Sequence, residues 1–176
     1  MSAMNENEPQ QTIRLWMSEH GDMVRRTIYV ITQDLETSED LAQETFVKAF
    51  RKLHQFNARS RPQTWLYRIA VNTARNHLRR VRPKNVPLDA VAHTLHSDDR
   101  WCAVQRLERE HDAAEIRRTV ATLPSELRTV VALYYVDGFG VSEVAEITGV
   151  PLGTVKSRLS RARDHLRVSL SRITRN

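Results

Sequence analysis

Apolar residues recur at helical spacing through most of this chain, and residues that favour turns are scarce. Only five glycines and six prolines occur in 176 residues, too few for a fold built from many short strands and tight turns. One predicted helix carries its apolar stripe at Ala42, Phe46, Ala49, Phe50 and Leu53, and another at Leu66, Ile69, Ala70, Thr73, Ala74 and Val81. Such spacing is typical of helices that bury one face. The chain is therefore predicted to be all-α.

The prolines predict where the helices separate into two groups. Pro83 and Pro87 interrupt helical order in the middle of the chain, because proline cannot continue a helix. Earlier, a helix is expected to begin just after Thr37. Later, another is expected from Pro124 to Val136 with Tyr134 facing inward. The predicted organisation is a disordered tail at 1–11, a helical domain at 12–84, a linker at 85–103 and a second helical domain, containing a helix-turn-helix, at 104–176.

Charge is strongly segregated along the chain. The net charge is +6, yet residues 45–88 contain eleven basic side chains and no acidic one. Residues 150–176 contain seven basic side chains and one acidic side chain, whereas the stretches before both basic blocks are net acidic. Two basic blocks indicate two contacts with a polyanion, and the acidic stretches indicate a contact with something else.

Several classes of protein are disfavoured. A single cysteine, Cys102, excludes a disulfide framework, and the N-terminus lacks the basic and apolar regions of a signal peptide. No run of eighteen apolar residues is present, so no transmembrane helix is expected, and a cytoplasmic location is predicted. His93, His96, Cys102 and His111 fit no common zinc-finger spacing. We predict no metal, no cofactor and no catalysis.

The segment SEVAEITGVPLGTVKSRLSRARDHLR, residues 142–167, has the layout of a helix-turn-helix. Gly149 can take the left-handed conformation that ends a first helix, and a basic second helix follows. Arg158 is expected to contact guanine, whereas later arginines are expected to contact phosphates. The predicted DNA-facing residues are Thr154, Lys156, Ser157, Arg158, Arg161 and Arg163. The alternative is a basic amphipathic helix that merely ends a bundle.

The segment TWLYRIAVNTARNHLRR, residues 64–80, mixes arginines with aromatic and amide side chains and contains no acid. On a helix, one stripe comprises Trp65, Arg68, Asn72, Arg75, Arg79 and Arg82. Arginines follow a phosphate backbone, an aromatic ring can stack on an unpaired base, and amides can read a base edge. This stripe is predicted to bind single-stranded or opening DNA. The alternative is that Trp65 and Tyr67 are packing residues.

Three segments together resemble the extracytoplasmic-function group of bacterial sigma factors. EDLAQETFVKAFRKLHQF resembles the family's helix that binds core RNA polymerase, and TWLYRIAVNTARNHLRR resembles its helix that recognises and melts the −10 element. LPSELRTVVALYYVDGFGVSEVAEITGVPLGTVKSRLSRARDHLR resembles its −35-binding domain. The resemblance implies a promoter-specificity subunit whose partners are core RNA polymerase, promoter DNA and an anti-sigma factor.

The resemblance also implies roles for individual residues. Polymerase contacts are expected at Asp40, Gln43, Glu44, Val47, Lys48 and Arg51. Binding and melting of the −10 element are expected at Asn57, Arg59, Ser60, Arg61, Trp65, Arg68, Asn72, Arg75, Asn76 and Arg79. The second helix of the helix-turn-helix is expected to bind the −35 element.

The predicted linker is short for the distance that such a protein must cover. Promoter elements about seventeen base pairs apart are separated by about 58 Å of B-DNA. A linker of roughly twenty residues spans at most about 66 Å when fully extended and averages about 25 Å as a free coil. Something must therefore hold the linker stretched, or the width of the domains must fill part of the gap.

Two other classes of protein fit parts of the sequence. The first is a helix-turn-helix repressor or activator that binds closed duplex as a dimer, and the second is a nucleic-acid enzyme such as a nuclease. The stripe on residues 65–82 disfavours the first. The lack of a recognisable acidic metal site disfavours the second.

Overall fold

The computed structural model describes residues 8–57, 61–81 and 110–173. Within those ranges the chain is helical and contains no strand, which confirms the predicted all-α class. The first domain consists of α1 (Glu8–Thr32), α2 (Leu35–Lys52), a short 3₁₀ turn (Leu53–Gln55) and α3 (Pro62–Val81). Because α1 already begins at Glu8, the last residues assigned to the tail are helical. The predicted linker lies outside the described residues.

The connection between α1 and α2 is tight. Gln33 takes a left-handed conformation with φ of 63°, and its backbone N–H donates to the Tyr29 carbonyl at 2.7 Å. Asp34 then caps α2 by accepting the Thr37 N–H at 2.9 Å. The prediction that α2 begins just after Thr37 is wrong by a few residues, because Asp34 is the side chain that caps the helix.

The second domain consists of α4 (Glu110–Ala121), α5 (Ser125–Val131), α6 (Val141–Thr148) and α7 (Leu152–Ile173). One π-helical turn, Ala132–Val136, follows α5, with the Asp137 N–H donating to the Ala132 carbonyl at 2.9 Å. A π turn inserts one extra residue and rotates the positions after it. The expectation that Tyr134 faces inward is wrong for this reason, since its side chain is exposed.

The two domains pack against each other. Buried residues of the second domain, among them Val130, Leu133 and Ile147, share one apolar cluster with the core of the first domain. Tyr67 of α3, which is fully buried, meets Phe139 edge to face with the ring centroids 4.8 Å apart. Of the two roles considered for Tyr67, the structure therefore supports core packing. Helix α3 lies against α6, the first helix of the helix-turn-helix.

Candidate nucleic-acid interface

The amide and arginine side chains of α3 project from the face opposite its core. Leu66, Ala70 and Ala74 are buried on one side. Asn72, Asn76, Arg79 and Arg80 are exposed on the other, and Arg68 and Arg75 are partly buried. The helical stripe expected from the sequence is therefore present over the described part of α3. Val81, expected in the apolar stripe, is instead 62% exposed at the end of the helix.

Helix α6 covers part of this stripe. The Arg68 guanidinium donates to Glu146 at 2.7 Å, and Arg75 donates to the Thr148 carbonyl oxygen at 3.0 Å. Arg61, which precedes α3, lies 3.6 Å from the Glu143 carboxylate and is itself largely exposed. Arg79 projects into solvent. The positive surface is thus divided into a half that contacts α6 and a half that remains open.

A groove of about 350 Å³ separates α3 from α6 beside these contacts. Arg68 and Asn72 line one side, and Glu146, Thr148 and Gly149 are among the residues that line the other. Its walls combine a cation, an amide and the end of a helix.

Trp65 belongs to a cluster of three aromatic rings. It packs edge to face against Trp16 of α1 at 5.9 Å and against Phe56 at 5.4 Å between ring centroids. Trp16 and Phe56 also meet at 5.4 Å. Trp16 is buried, whereas Trp65 is only partly buried. The cluster holds the Trp65 ring against α1 and against Phe56, which precedes the loop to α3.

Most residues of α2 expected to contact polymerase lie on its outer surface. Asp40, Gln43 and Arg51 are exposed, and Val47 is 49% exposed. Glu44 and Lys48 form an ion pair at 2.7 Å on this helix, and Lys48 also donates to Thr73 of α3 at 3.1 Å. Lys48 therefore ties α2 to α3 as well as contributing to the surface.

Phe50 departs from its predicted place on α2. The sequence placed it on the buried stripe, but 44% of the residue is exposed, close to the exposure of Val47. Since the two lie three residues apart on a helix, they share a face. This face therefore offers apolar area next to its charged groups.

The helix-turn-helix has the predicted form. Gly149 follows α6 in the left-handed conformation with φ of 68°, and its N–H donates to the Ala145 carbonyl. Helix α7 buries Val155, Leu159 and Ala162. The residues of α7 expected to face DNA lie on the outer side of the helix. Lys156, Ser157, Arg161 and Arg163 are exposed, and Thr154 and Arg158 are partly buried.

Glu126 of α5 forms an ion pair with Arg158 of α7. The Arg158 guanidinium donates to the Glu126 carboxylate at 2.8 Å, and the arginine side chain is only 17% exposed. A guanidinium has five N–H donors, so one bond to Glu126 leaves others available. Glu126 thus restricts the orientation in which Arg158 can meet a base.

Two buried polar side chains between the domains were not predicted from the sequence. Arg128 donates to the Ala121 and Leu123 carbonyls at 2.9 and 2.6 Å, and to the Ile31 carbonyl of α1 at 2.9 Å. Burial lowers the pKa of Arg128, but an arginine side chain remains charged in proteins. Its side chain therefore joins the end of α1 to the end of α4 and the turn that follows it.

The second is Asp137, which faces α1 from the turn after α5. Burial raises the pKa of its carboxyl to about 7. The Thr27 hydroxyl lies 2.9 Å from the Met23 carbonyl and 2.7 Å from Asp137. The Thr27 hydroxyl donates to the Asp137 carboxylate, and this bond favours the charged carboxylate and so opposes the effect of burial on the pKa.

Some expected site residues lie outside the described residues. These are Arg59 and Ser60 of the loop before α3, together with Arg82, His93, His96 and Cys102. In the ranges that are described, no three histidine, cysteine, aspartate or glutamate side chains are grouped so as to hold a metal ion. No described helix is both long and apolar enough to span a bilayer.

Two protein-family models match the chain. The model described as Sigma-70 region 2 matches residues 16–83, and the model described as Sigma-70, region 4 matches residues 113–166. The RNA polymerase sigma-H factor of Pseudomonas aeruginosa is 36% identical over 149 residues, which cover 81% of this chain and 77% of that protein. The ECF RNA polymerase sigma-E factor of Salmonella typhimurium is 40% identical over 132 residues, which cover 71% of this chain and 69% of that protein.

The fold is also similar to a solved structure. The sigma factor RpoE of Bartonella quintana, crystallised in complex with the anti-sigma factor NepR, superposes with a TM-score of 0.66 at 25% identity. The superposition covers 94% of this chain and 98% of that chain.

Proposed function

Because this chain belongs to the sigma-70 family of RNA polymerase sigma factors, in its extracytoplasmic-function group, we propose that its two domains divide promoter recognition between them. The first domain engages polymerase and the −10 element, and the second engages the −35 element. The observation that carries this division is the presence of two separate basic surfaces, an acid-free α3 and the outer face of α7. Nucleotidyl transfer itself belongs to the polymerase.

Helix α3 is proposed to bind the −10 element while its strands separate. Asn72 and Asn76 are exposed, and Arg79 extends the same face. Exposed amides can pair with the edge of a base that has left its partner, and arginines can hold the phosphates on either side. Trp65 supports this role as a ring fixed by its neighbours at the entry to α3, where an unpaired base could stack.

Helix α7 is proposed to lie in the major groove of the −35 element. Its N-terminal half carries Lys156, Ser157 and Arg158 on the outer side, as in other helix-turn-helix proteins. Arg158 is the side chain proposed to read a guanine, because Glu126 orients its planar guanidinium. Arg161 and Arg163 are proposed to contact phosphates, which add affinity without reading sequence.

The outer face of α2 is proposed to bind core polymerase. It combines exposed acidic and amide side chains with the apolar pair Val47 and Phe50. An apolar centre surrounded by polar and charged side chains is typical of a protein–protein interface. The face contains Asp40 and Gln43, the residues that the sequence resemblance assigns to this role.

We also propose that an anti-sigma factor holds this chain when it is not bound to polymerase. The support is similarity to a sigma factor whose solved structure contains an anti-sigma factor. A cytoplasmic location follows from the same proposal, because core polymerase and promoter DNA are found there.

Reconstituted transcription tests the function directly. The chain is mixed with core RNA polymerase and a library of genomic fragments, and run-off transcripts are sequenced. Transcripts that share two upstream elements at fixed spacing are expected. A dimeric repressor or activator would yield none with core enzyme alone, and a nuclease would cut the templates. Absence of any transcript that depends on this chain would refute the proposed function.

A pair of variants tests the proposed division of promoter recognition between the two domains. Arg158→Ala should weaken binding to promoters with a −35 element by about tenfold or more, the effect of losing a bidentate base contact. Arg79→Ala should weaken binding to a pre-opened −10 template and spare polymerase binding. Equal effects of both variants on polymerase affinity would contradict the assignment.

A further inference from the structure

The Lys48 side chain of α2 reaches across to α3. Its ammonium lies 2.7 Å from a Glu44 carboxylate oxygen on its own helix, and it donates a hydrogen bond to the Thr73 hydroxyl of α3 at 3.1 Å. Thr73 is only 3% exposed. An ammonium group has three N–H donors, so both contacts can form together. Lys48 therefore joins the helix proposed to bind polymerase to the helix proposed to read the −10 element.

Lys48 is less exposed than its neighbours on α2. Gln43, Val47 and Arg51 are exposed, whereas Glu44 and Lys48 are partly buried. Residues 44 and 48 lie one turn apart on the helix, so the Glu44 carboxylate can hold the ammonium in the direction of α3. The Lys48 ammonium is thus a fixed group between two helices rather than a freely solvated charge.

Thr73 lies beside the exposed amides of α3. Asn72 directly precedes it and Asn76 follows three residues later, and both asparagines are exposed. With about 3.6 residues per turn, Thr73 is about 100° from Asn72 and about 60° from Asn76 around the helix axis. A hydrogen bond at Thr73 therefore restrains the rotation of α3 about its axis, and so sets the direction in which both amides point.

A small rotation of α3 would move these amides by a distance that matters for hydrogen bonding. Side-chain ends lie about 5–6 Å from the axis of a helix, so a rotation of about 10° moves them by about 1 Å. Hydrogen bonds form over donor–acceptor distances of about 2.7–3.2 Å. A shift of about 1 Å therefore breaks or bends a bond between an asparagine amide and a base edge.

The apolar packing near this contact gives little resistance to such a rotation. Ala49 follows Lys48 on α2, and Ala70 and Ala74 lie within one turn of Thr73 on α3; all three alanines are fully buried. Methyl side chains form only shallow ridges between packed helices, so they fix the distance between two helices more firmly than their rotation. The directional bond from Lys48 to Thr73 supplies the restraint that these alanines lack.

We propose that the hydrogen bond between Lys48 and Thr73 positions α3 for sequence-specific reading of the −10 element. Lys48 acts through Thr73 as a positioning residue, since it fixes the orientation from which Asn72 and Asn76 meet the bases. The inference rests on the proposed function of α3 and adds the residue pair on which its base preference depends. Loss of the bond should reduce the preference for the correct −10 sequence and leave phosphate contacts, which carry no sequence information, in place.

The first test compares two threonine variants in the holoenzyme. Thr73→Val keeps the branched shape of the side chain and removes the hydroxyl that accepts from Lys48. The matched control is Thr45→Val on α2. Thr45 is also buried, but its hydroxyl donates to the Leu41 carbonyl of its own helix. Both variants lose a buried hydroxyl, and Thr73→Val loses the bond that joins α2 to α3.

Anisotropy of a fluorescein-labelled single strand measures the base preference. One strand comes from a promoter identified by run-off transcription, and the other has its −10 bases shuffled. The ratio of the two affinities for preformed holoenzyme should fall about fivefold in Thr73→Val, the effect of weakening one amide–base contact, and stay unchanged in Thr45→Val. Affinity for core polymerase should be the same in both variants. An unchanged ratio in Thr73→Val would overturn the proposal.

A second comparison separates positioning from packing. Thr73→Ser keeps the hydroxyl and loses the methyl group, whereas Thr73→Val keeps the methyl group and loses the hydroxyl. If the hydroxyl positions α3, Thr73→Ser should retain the base preference even where its Tm falls. A larger loss of preference in the serine variant than in the valine variant would overturn the proposal. Lys48→Met should lower the ratio as much as Thr73→Val does, and the double variant should lower it no further, since both changes remove the same bond.

Asparagine variants distinguish failure of this inference from failure of the proposed function. If Asn72→Ala lowers the ratio in the holoenzyme and Thr73→Val does not, positioning by Lys48 is wrong and the role of α3 stands. If Asn72→Ala and Asn76→Ala both leave the ratio unchanged, the role of α3 is wrong and this inference is wrong with it. If Thr73→Val does not fold, Lys48→Met decides, with Lys52→Met as its control, because Lys52 is exposed on the same helix.

Discussion

Replacing Arg128 with methionine should remove three hydrogen bonds that join α5 to the ends of α1 and α4. Its guanidinium donates to the carbonyls of Ala121, Leu123 and Ile31 at 2.6–2.9 Å, and the residue is only 7% exposed. A buried carbonyl that loses its donor costs about 1–3 kcal/mol. Three such losses, partly offset by the easier burial of methionine, should lower the free energy of unfolding by about 3–5 kcal/mol.

Urea denaturation followed by circular dichroism measures this loss. For a chain of this size, each 1 kcal/mol corresponds to about 2–4 °C in Tm, so the melting temperature should fall by about 6–20 °C. Arg117→Met is the matched control, because Arg117 is exposed on α4 and its replacement should change stability by no more than about 0.5 kcal/mol. If Arg128→Met lies within about 1 kcal/mol of that control, the reasoning about buried carbonyls is refuted.

Four further predictions concern pH and the individual surfaces. Because burial raises the pKa of Asp137 to about 7, the folded chain binds protons more tightly than the unfolded chain. Stability should therefore fall as pH rises from about 4 to about 7, and Asp137→Asn should flatten that slope in denaturant titrations. Trp65→Ala should slow strand opening, measured by permanganate reactivity of thymines, and a pre-melted template should rescue it. Arg158→Lys, which loses the planar fork, should relax guanine preference at one position in a promoter-sequence selection. Val47→Asp should weaken holoenzyme formation by about tenfold in a pull-down titration without changing Tm.

The periodic spacing of apolar residues was sufficient to predict the helices, because the residues that share one face of a helix lie only a few positions apart in the sequence. The arginine and amide stripe on α3 and the left-handed Gly149 were both predicted from the sequence, and their positions are as expected, whereas Phe50 of α2 was expected on the buried stripe and lies on the exposed face. The prediction that Tyr134 faces inward was wrong because a π turn changes the helical register by one residue. Such a turn has no distinct sequence pattern.

The chain's own sequence determined which charged and amide residues lie on the outer faces of α2, α3 and α7, since helical spacing is a local property. Tertiary structure alone decided what those surfaces contact. The pairing of Arg68 with Glu146, 78 residues apart, and of Arg128 with Ile31, 97 residues apart, depends on how the two domains pack. Long-range contacts of this kind arise from the shape of a shared apolar core, and no local pattern specifies it.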